Sequence, residues 1–377
     1  MEQTLTLVCT IQPTEAEASH LETTLQAFAD ARAYIHGTLP ERITSVMRMQ
    51  AMLYYDVRAR FGLSSNLAQQ VFRRVAATRK TAKAHGEAVK GFEPTSIQYD
   101  QRILSFRECD STVSLTLLHG RVRFRLHLGN YQRGRLRGQK PTSAQLCKYQ
   151  NGTYAVHIQV KVVVPTPQAP TDVLGVDLGR TDIAHTSEGE SWNGSGLRHC
   201  RDRFTRLRAA LNHKASKGTR STRRRCRQLL ARLSGREQHF QRHTNHCISK
   251  HLVETAHTKQ VAIALEDLTG IRERTNQEPR PKRERRRSNS WAFYQLRQFV
   301  QYKAALAGVV LLLVPAAYTS QMCHACLHLG ARKEKRFACI NPACGWAGDA
   351  DLNGAKNIRT LGLNVSQARG PWVHCHL

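Results

Sequence analysis

Val173-Leu-Gly-Val-Asp-Leu-Gly179 is an apolar run that ends on a carboxylate. A run this short and this apolar reads as a strand over Val173 to Asp177, with the acid at its C-terminal end. Working outward, Asp182 to Thr186 and the stretch around Trp192 read as its hairpin partners. Residues 200–258 have a helical pattern, two long arms around a polar turn near Ser216 to Thr222. Gln260 to Glu266 is a second apolar strand, and it too ends on acids. Residues 271–289 form a charged loop. Trp291 to Gly308 has helical spacing, with Phe293, Leu296, Val300 and Leu306 on one side and Gly308 past its end. Val309 to Val314 is another strand, and Asp351 to Leu361 a final helix. Strands alternating with helices predict an α/β unit over 171–377.

The period differs upstream. Residues 4–11 alternate as a strand. Residues 14–90 turn helical: Leu21, Leu25, Phe28 and Ala31 share a face, a second helix runs near Ile43 to Arg60, and a third from Ser65 to about His85 with Ser64 or Ser65 as N-cap. From Ser96 to Pro165 the period is two, with strands expected at 102–107, 113–118, 122–128, 143–149 and 154–164. Pro165, Pro167 and Pro170 mark a linker. The expected fold is α+β and multidomain: a small β-barrel over 1–13 and 91–170, split by a helical insertion over 14–90, then an RNase H-like domain over 171–317 and 348–377, with a metal knuckle inserted at 318–347.

Three acids carry the chemistry. In an RNase H-like sheet the first strand lies beside a later parallel one, and their C-terminal ends meet the last helix. Asp177, Glu266 and Asp351 sit at those three places. Crowded carboxylates repel, by roughly 4 kcal/mol per pair at about 4 Å and an effective dielectric near 20. Cations remove that cost. Oxygen ligands with open positions suit Mg²⁺ or Mn²⁺, and two such ions serve phosphodiester hydrolysis. Each acid alone has a plain structural reading, Asp177 as a turn residue and Asp351 as an N-cap. Asp267 and Asp349 are the neighbours most easily confused with the three, and Asp267 should face away from Glu266.

Of eleven Cys, four cluster as Cys323-His-Ala-Cys326 and Cys339-Ile-Asn-Pro-Ala-Cys344. Two close pairs in a short segment predict one structural Zn²⁺ held by Cys323, Cys326, Cys339 and Cys344. His324 and His328 read as spectators, and His374, Cys375 and His376 as a solvated tail.

The 377 residues carry 57 Lys and Arg against 28 acids, a formal net charge of +29. That excess points to a polyanionic partner, nucleic acid above all. Fourteen Lys or Arg and two acids lie between Arg201 and Arg242, densest at Arg223, Arg224, Arg225 and Arg227. These arms read as the lining of a channel for a heteroduplex or single strand. No apolar run reaches membrane-spanning length and no signal peptide is read, so the expected place is the cytoplasm, on the nucleoid.

The motifs Gly175-Val-Asp-Leu-Gly179, Leu265-Glu-Asp-Leu268, Trp291-Ala-Phe-Tyr-Gln-Leu-Arg-Gln-Phe299, Tyr318-Thr-Ser-Gln-Met-Cys-His-Ala-Cys326 and Asp349-Ala-Asp-Leu-Asn-Gly-Ala-Lys-Asn-Ile358 together resemble the transposon-encoded TnpB (OrfB-type) nucleases, kin to compact type V CRISPR effectors. The resemblance covers about 200 residues; upstream only the layout, a barrel split by helices, is similar. It implies an RNA-guided DNA endonuclease. A guide RNA would pair with one strand of target double-stranded DNA, and the protein would read a short adjacent motif. It implies a wedge barrel, a recognition insertion, a RuvC-like nuclease domain with Asp177, Glu266 and Asp351, and a target-nucleic-acid-binding knuckle. Leu327 and Gly354 depart from the family's usual Gly and Ala, and the second Cys pair is spaced by four residues. For motif reading, Asn66, Gln69, Gln70 and Arg73 offer amide and guanidinium groups suited to base edges. A CRISPR-associated effector, a non-cleaving regulator of the same fold and a strand-joining transposase are the competing readings.

Overall fold

A computed structural model of the chain describes residues 2–167, 169–179, 181–269 and 293–368. The charged loop 271–289, Trp291 and the tail with His374, Cys375 and His376 lie outside them. Two compact units divide the chain, Glu2–Val163 and one that begins at Val164.

The first unit is built on a seven-stranded antiparallel sheet. Its strands are β1 (Glu2–Ile11), β2 (Ser96–Asp100), β3 (Leu104–Arg107), β4 (Thr112–Leu117), β5 (Gly120–His127), β6 (Ser143–Lys148) and β7 (Tyr154–Val163), in spatial order β2-β6-β7-β1-β5-β4-β3. The two edge strands, β2 and β3, are consecutive in the chain and joined by a three-residue turn. The sheet therefore returns on itself as a nearly closed barrel. Alternation drives this: on β4, Val113, Leu115 and Leu117 are buried while Thr112, Ser114 and Thr116 are not. Strand β2 was not among the expected strands, and the short helix α4 (Asn130–Leu136), which buries a single apolar residue, Leu136, offered no periodicity to read.

Three helices fill the gap between β1 and β2: α1 (Glu15–Thr38), α2 (Val46–Phe61) and α3 (Ser65–His85). Thr14 and Glu17 cap α1 reciprocally, backbone to side chain in both directions. The end of α1 is held from α3 by Arg79. Its buried guanidinium donates to the carbonyls of His36, Leu39, Pro40 and Ile43.

The second unit holds a five-stranded sheet in the order β10-β9-β8-β11-β12, with β8 (Val173–Asp177), β9 (Asp182–Thr186), β10 (Ser191–Asn193), β11 (Ala262–Asp267) and β12 (Leu311–Pro315). Strand β11 runs parallel to both β8 and β12, while β9 and β10 are antiparallel. The helical arms between β10 and β11 are three helices rather than two: α5 (Ser195–Lys217), α6 (Arg220–Leu233) and α7 (Arg236–Lys259). The extra break falls at Gly235, whose left-handed backbone (φ 79°) ends the second arm early.

The sheet's two faces have different coats. Leu174, Val176, Ile263 and Leu265 pack against α7 and against α8 (Phe293–Ala307). Val173, Ala262, Ala264, Leu312 and Val314 face the last helix, α9 (Ala350–Ala368). The residues on this second face are small beneath the helix. A Cβ on Gly175 would stand 2.1 Å from the Ala355 carbonyl oxygen and 2.5 Å from the Arg359 nitrogen. Helix α9 thus lies on bare backbone. Between β12 and α9 the chain makes a three-stranded sheet, β13 (Gly330–Lys333), β14 (Arg336–Cys339) and β15 (Ala347–Asp349). Among the described residues no helix is long and apolar enough to cross a membrane.

Gly175→Ala should destabilise the second unit by about 3 kcal/mol or more, because backbone atoms cannot move aside. Gly37→Ala, in the open at α1, should be neutral or slightly stabilising. Denaturant unfolding of both variants checks the contrast; equal midpoints would refute the close approach.

Candidate metal centres

Strand parity delivers the first two acids. Residues 173, 175 and 177 share one face of β8, and 262, 264 and 266 share the matching face of β11. The register pairs Gly175 with Ala264 and Val176 with Leu265, so Asp177 and Glu266 are the next residues along, both on the α9 face. Asp267 points the other way, as parity requires. It accepts from Thr269 and, at 2.8 Å, from Arg297. The third acid arrives on α9. Asp349 takes the N-cap role, accepting from the backbone N–H of Asp351 and Leu352 at 2.8 and 3.0 Å. That leaves the Asp351 carboxylate, 5% exposed, free of the capping duty. Gly354, one turn on, gives Asp177 its room: a Cβ there would lie 3.1 Å from Asp177 Oδ2.

The electrostatics register this convergence. Burial, then the charges of Glu266 and Asp351, push Asp177 up to about 8. Burial raises Glu266 as well, against the pull of the Thr319 hydroxyl and the Arg332 guanidinium. Arg332, from β13, donates to Asp351 Oδ1 at 2.7 Å and also favours the ionised form of Asp177. Beside it, Lys335 donates to the buried Asp182 at 2.6 Å. A basic hairpin thus leans on the acidic centre from the knuckle side. The three carboxylates, Asp351 buried and Asp177 and Glu266 half-buried, form an oxygen donor set that fits hard divalent cations. They are spread more widely than the thiols described next.

The four knuckle thiols do meet. Cys323, Cys326, Cys339 and Cys344 are the group, among the described residues, whose ligand atoms all lie within 4.8 Å of one another. Sγ separations are 3.9 Å for Cys323 to Cys344 and 3.4 Å for Cys326 to Cys339. Four sulfurs about 2.3 Å from one zinc would stand about 3.8 Å apart, so the cluster could hold Zn²⁺. The backbone around His328 draws the Cys326 thiol down to about 6, while burial pushes Cys339 up to about 12 and the neighbouring thiols help raise Cys344.

Several working residues escaped the sequence reading. His324 stays outside the thiol cluster, as expected, but has a structural role: its N–H and Nδ1 lie 2.9 and 3.0 Å from Asn353 Oδ1, and its ring packs edge-on to Trp346. Asn353 and Asn357 hold the 319–322 segment from α9, a role their i, i+4 spacing could have flagged. Thr319, whose hydroxyl donates to Glu266, was visible only inside the Thr-Ser-Gln-Met-Cys motif. Arg332 lies in a stretch of mixed charge, Arg332 to Arg336, that carries no sequence signal of its contact with Asp351.

On the nucleic-acid side, Arg223, Arg224, Arg225 and Arg227 are all exposed on α6. Asn66 and Gln69 are half-buried, and Arg73 is exposed and 4.0 Å from Asp100. Gln70 is 4% exposed and donates to Asp100 at 2.8 Å. It faces the barrel, which corrects its expected role as a reader of base edges.

Two outcomes are expected. Asp177 keeps its proton to about pH 8 when folded, against 3.8 ordinarily. Between those values the folded state binds more protons, so the metal-free protein should lose stability as pH rises. Asp177→Asn should flatten that slope, read from unfolding midpoints in chelator at pH 5 and pH 8. Elemental analysis should find one zinc per chain, lost on Cys339→Ser, and binding should weaken on acidification because raised thiols must give up protons. Full zinc content in the Cys339 variant would contradict the site.

Comparison with known proteins agrees with the motifs. Residues 156–271 match the family model OrfB_IS605, described as "Probable transposase", and residues 293–358 match the Cas12f1-like TNB domain. The chain is 30% identical over 245 residues to the CRISPR-associated endodeoxyribonuclease Cas12f2 of a Micrarchaeota archaeon, covering 58% of this chain and 42% of that protein. It is 34% identical over 144 residues to a TnpB-like protein of Methanocaldococcus jannaschii, covering 38% of this chain and 50% of that one. The fold matches the cryo-EM structure of a Cas12f1-sgRNA-target DNA complex with a TM-score of 0.60 at 12% identity, over 92% of this chain and 83% of the other. The chain spans about half the length of the curated relatives it matches. Its resemblance to the TnpB (OrfB-type) proteins and their compact type V kin is thereby shown, carried by the segments 156–271 and 293–358.

Proposed function

We propose that this chain is an RNA-guided DNA endonuclease of a transposable element, cutting in a RuvC-like centre of RNase H-like topology. The observation that carries the reading is the convergence of Asp177, Glu266 and Asp351 from two parallel strands and a helix, where burial and then the charges of the other two acids push Asp177 up to about 8. The three acids would hold two Mg²⁺ or Mn²⁺ ions. Such ions supply an activated water and stabilise the leaving oxygen in phosphodiester hydrolysis. The chain's own residues do the rest. Asp349 fixes the start of α9, Gly354 leaves space beside Asp177, and Arg332 balances charge at Asp351.

In this reading residues 1–13 and 91–170 are a wedge barrel and 14–90 a recognition insertion. Residues 171–317 and 348–377 form the nuclease domain, and 318–347 a zinc knuckle that contacts the target. Exposed Arg223, Arg224, Arg225 and Arg227 suit the backbone of a guide RNA–DNA heteroduplex. Asn66, Gln69 and Arg73 remain candidates for contact with the adjacent motif on double-stranded target. The net charge of +29 supports polyanionic partners.

The test is to sequence RNA that copurifies with the protein, then offer Mg²⁺ and duplex DNA matching it. Wild-type protein should cut, and Asp177→Ala should cut slower by on the order of a hundredfold or more while keeping its RNA. Absence of bound RNA would overturn the guide; undiminished cutting by the variant would overturn the centre. Binding of the matching duplex without any cutting by wild type would favour a regulator of the same fold.

A further inference from the structure

We propose that Thr319 is the positioning residue for Glu266, and that Asn357 on α9 fixes Thr319 in turn; this rests on the reading of the acidic centre as a metal site. Thr319 is 2% exposed. Its Oγ1 hydroxyl donates to Glu266 Oε1 and, among the described residues, has one other acceptor in range, the Ala316 carbonyl at 3.2 Å. One hydroxyl proton can serve one strong bond, and the shorter contact is to the carboxylate. Glutamate carries three side-chain torsions, and among the described residues Thr319 is the one hydrogen-bond donor to that carboxylate. Its partners at the centre, Asp177 and Asp351, are shorter and sit directly on elements packed together.

Thr319 is itself strapped down. Its carbonyl accepts from Asn357 Nδ2 at 2.8 Å. The same amide donates to the Met322 carbonyl at 2.7 Å, which also accepts from Asn353 Nδ2 at 2.6 Å. Asn353 and Asn357 are 0% and 3% exposed. Between these anchors the chain turns tightly, with Tyr318 in the left-handed region (φ 62°) and its carbonyl accepting from Gln321 and Met322. The strap from 318 to 324 therefore has two attachments to α9, one helical turn apart. Helix α9 places Asp351 directly and Glu266 through Thr319. A hydroxyl that only filled space would need no such anchoring, and a valine would replace it at equal volume.

The experiment measures Mn²⁺ binding by calorimetry to the full chain with the RNA it carries, and cleavage against metal concentration. Asp177→Ala is the control for the centre. Thr319→Val should weaken Mn²⁺ binding about tenfold, the scale of one hydrogen bond to a charged group. Its cleavage rate at saturating metal should stay within about threefold of wild type. Thr319→Ser, which keeps the hydroxyl, should bind as wild type does. If Asp177→Ala abolishes binding while Thr319→Val binds as wild type, the positioning role is overturned and the metal centre stands. If Thr319→Ser is as weak as Thr319→Val, the hydroxyl is not the cause and the role is again overturned. Wild-type binding by Asp177→Ala would remove the centre and this inference with it. Should the valine variant fail to fold, Thr319→Ala carries the same comparison.

Discussion

The second unit depends on one close approach, that of α9 to the bare backbone of β8. Gly175 and the alanines of β11 leave no side-chain bulk between helix and sheet. Dense packing of this kind admits little play. Every acid of the centre is referred to that helix. Asp351 stands in its first turn, Asp177 lies against Gly354, and Glu266 meets it through Thr319. The close packing of helix on sheet fixes the elements that bring the three carboxylates towards one place.

Charge is handled locally. Burial costs carboxylates their hydration, and the knuckle answers with Arg332 at Asp351 and Lys335 at Asp182. The thiol cluster sits at the root of the hairpin that carries both cations. The thiol cluster and the carboxylates of the sheet are thus linked through one hairpin. The chain's large excess of positive charge is spent elsewhere, on exposed faces such as that of α6.

Much of this was legible in order. Short apolar runs ending on acids named β8 and β11, and parity alone separated Glu266 from Asp267. The cysteine spacing marked the knuckle, and alternation marked most of the barrel. What escaped depends on contacts distant in sequence. Gln70 reads as an outward polar residue until Asp100, thirty positions away, turns it inward. Arg79 reads as one basic residue among several until four carbonyls at the end of α1 converge on it. Arg332 lies in a run of mixed charge that any solvated hairpin could carry. The break at Gly235 is hidden in the sequence because the helical composition on either side is continuous.

The knuckle's place in the chain sets an order of assembly. Asp177 and Glu266 belong to strands that leave the ribosome well before α9. The 323–344 segment emerges between Glu266 and Asp351, and the backbone N–H of Ala350 bonds to the carbonyl of Lys335 in the knuckle hairpin. Helix α9 therefore starts against the backbone of that hairpin. A nascent chain thus carries Asp177, Glu266 and the exposed arginines of α6 before it carries Asp351.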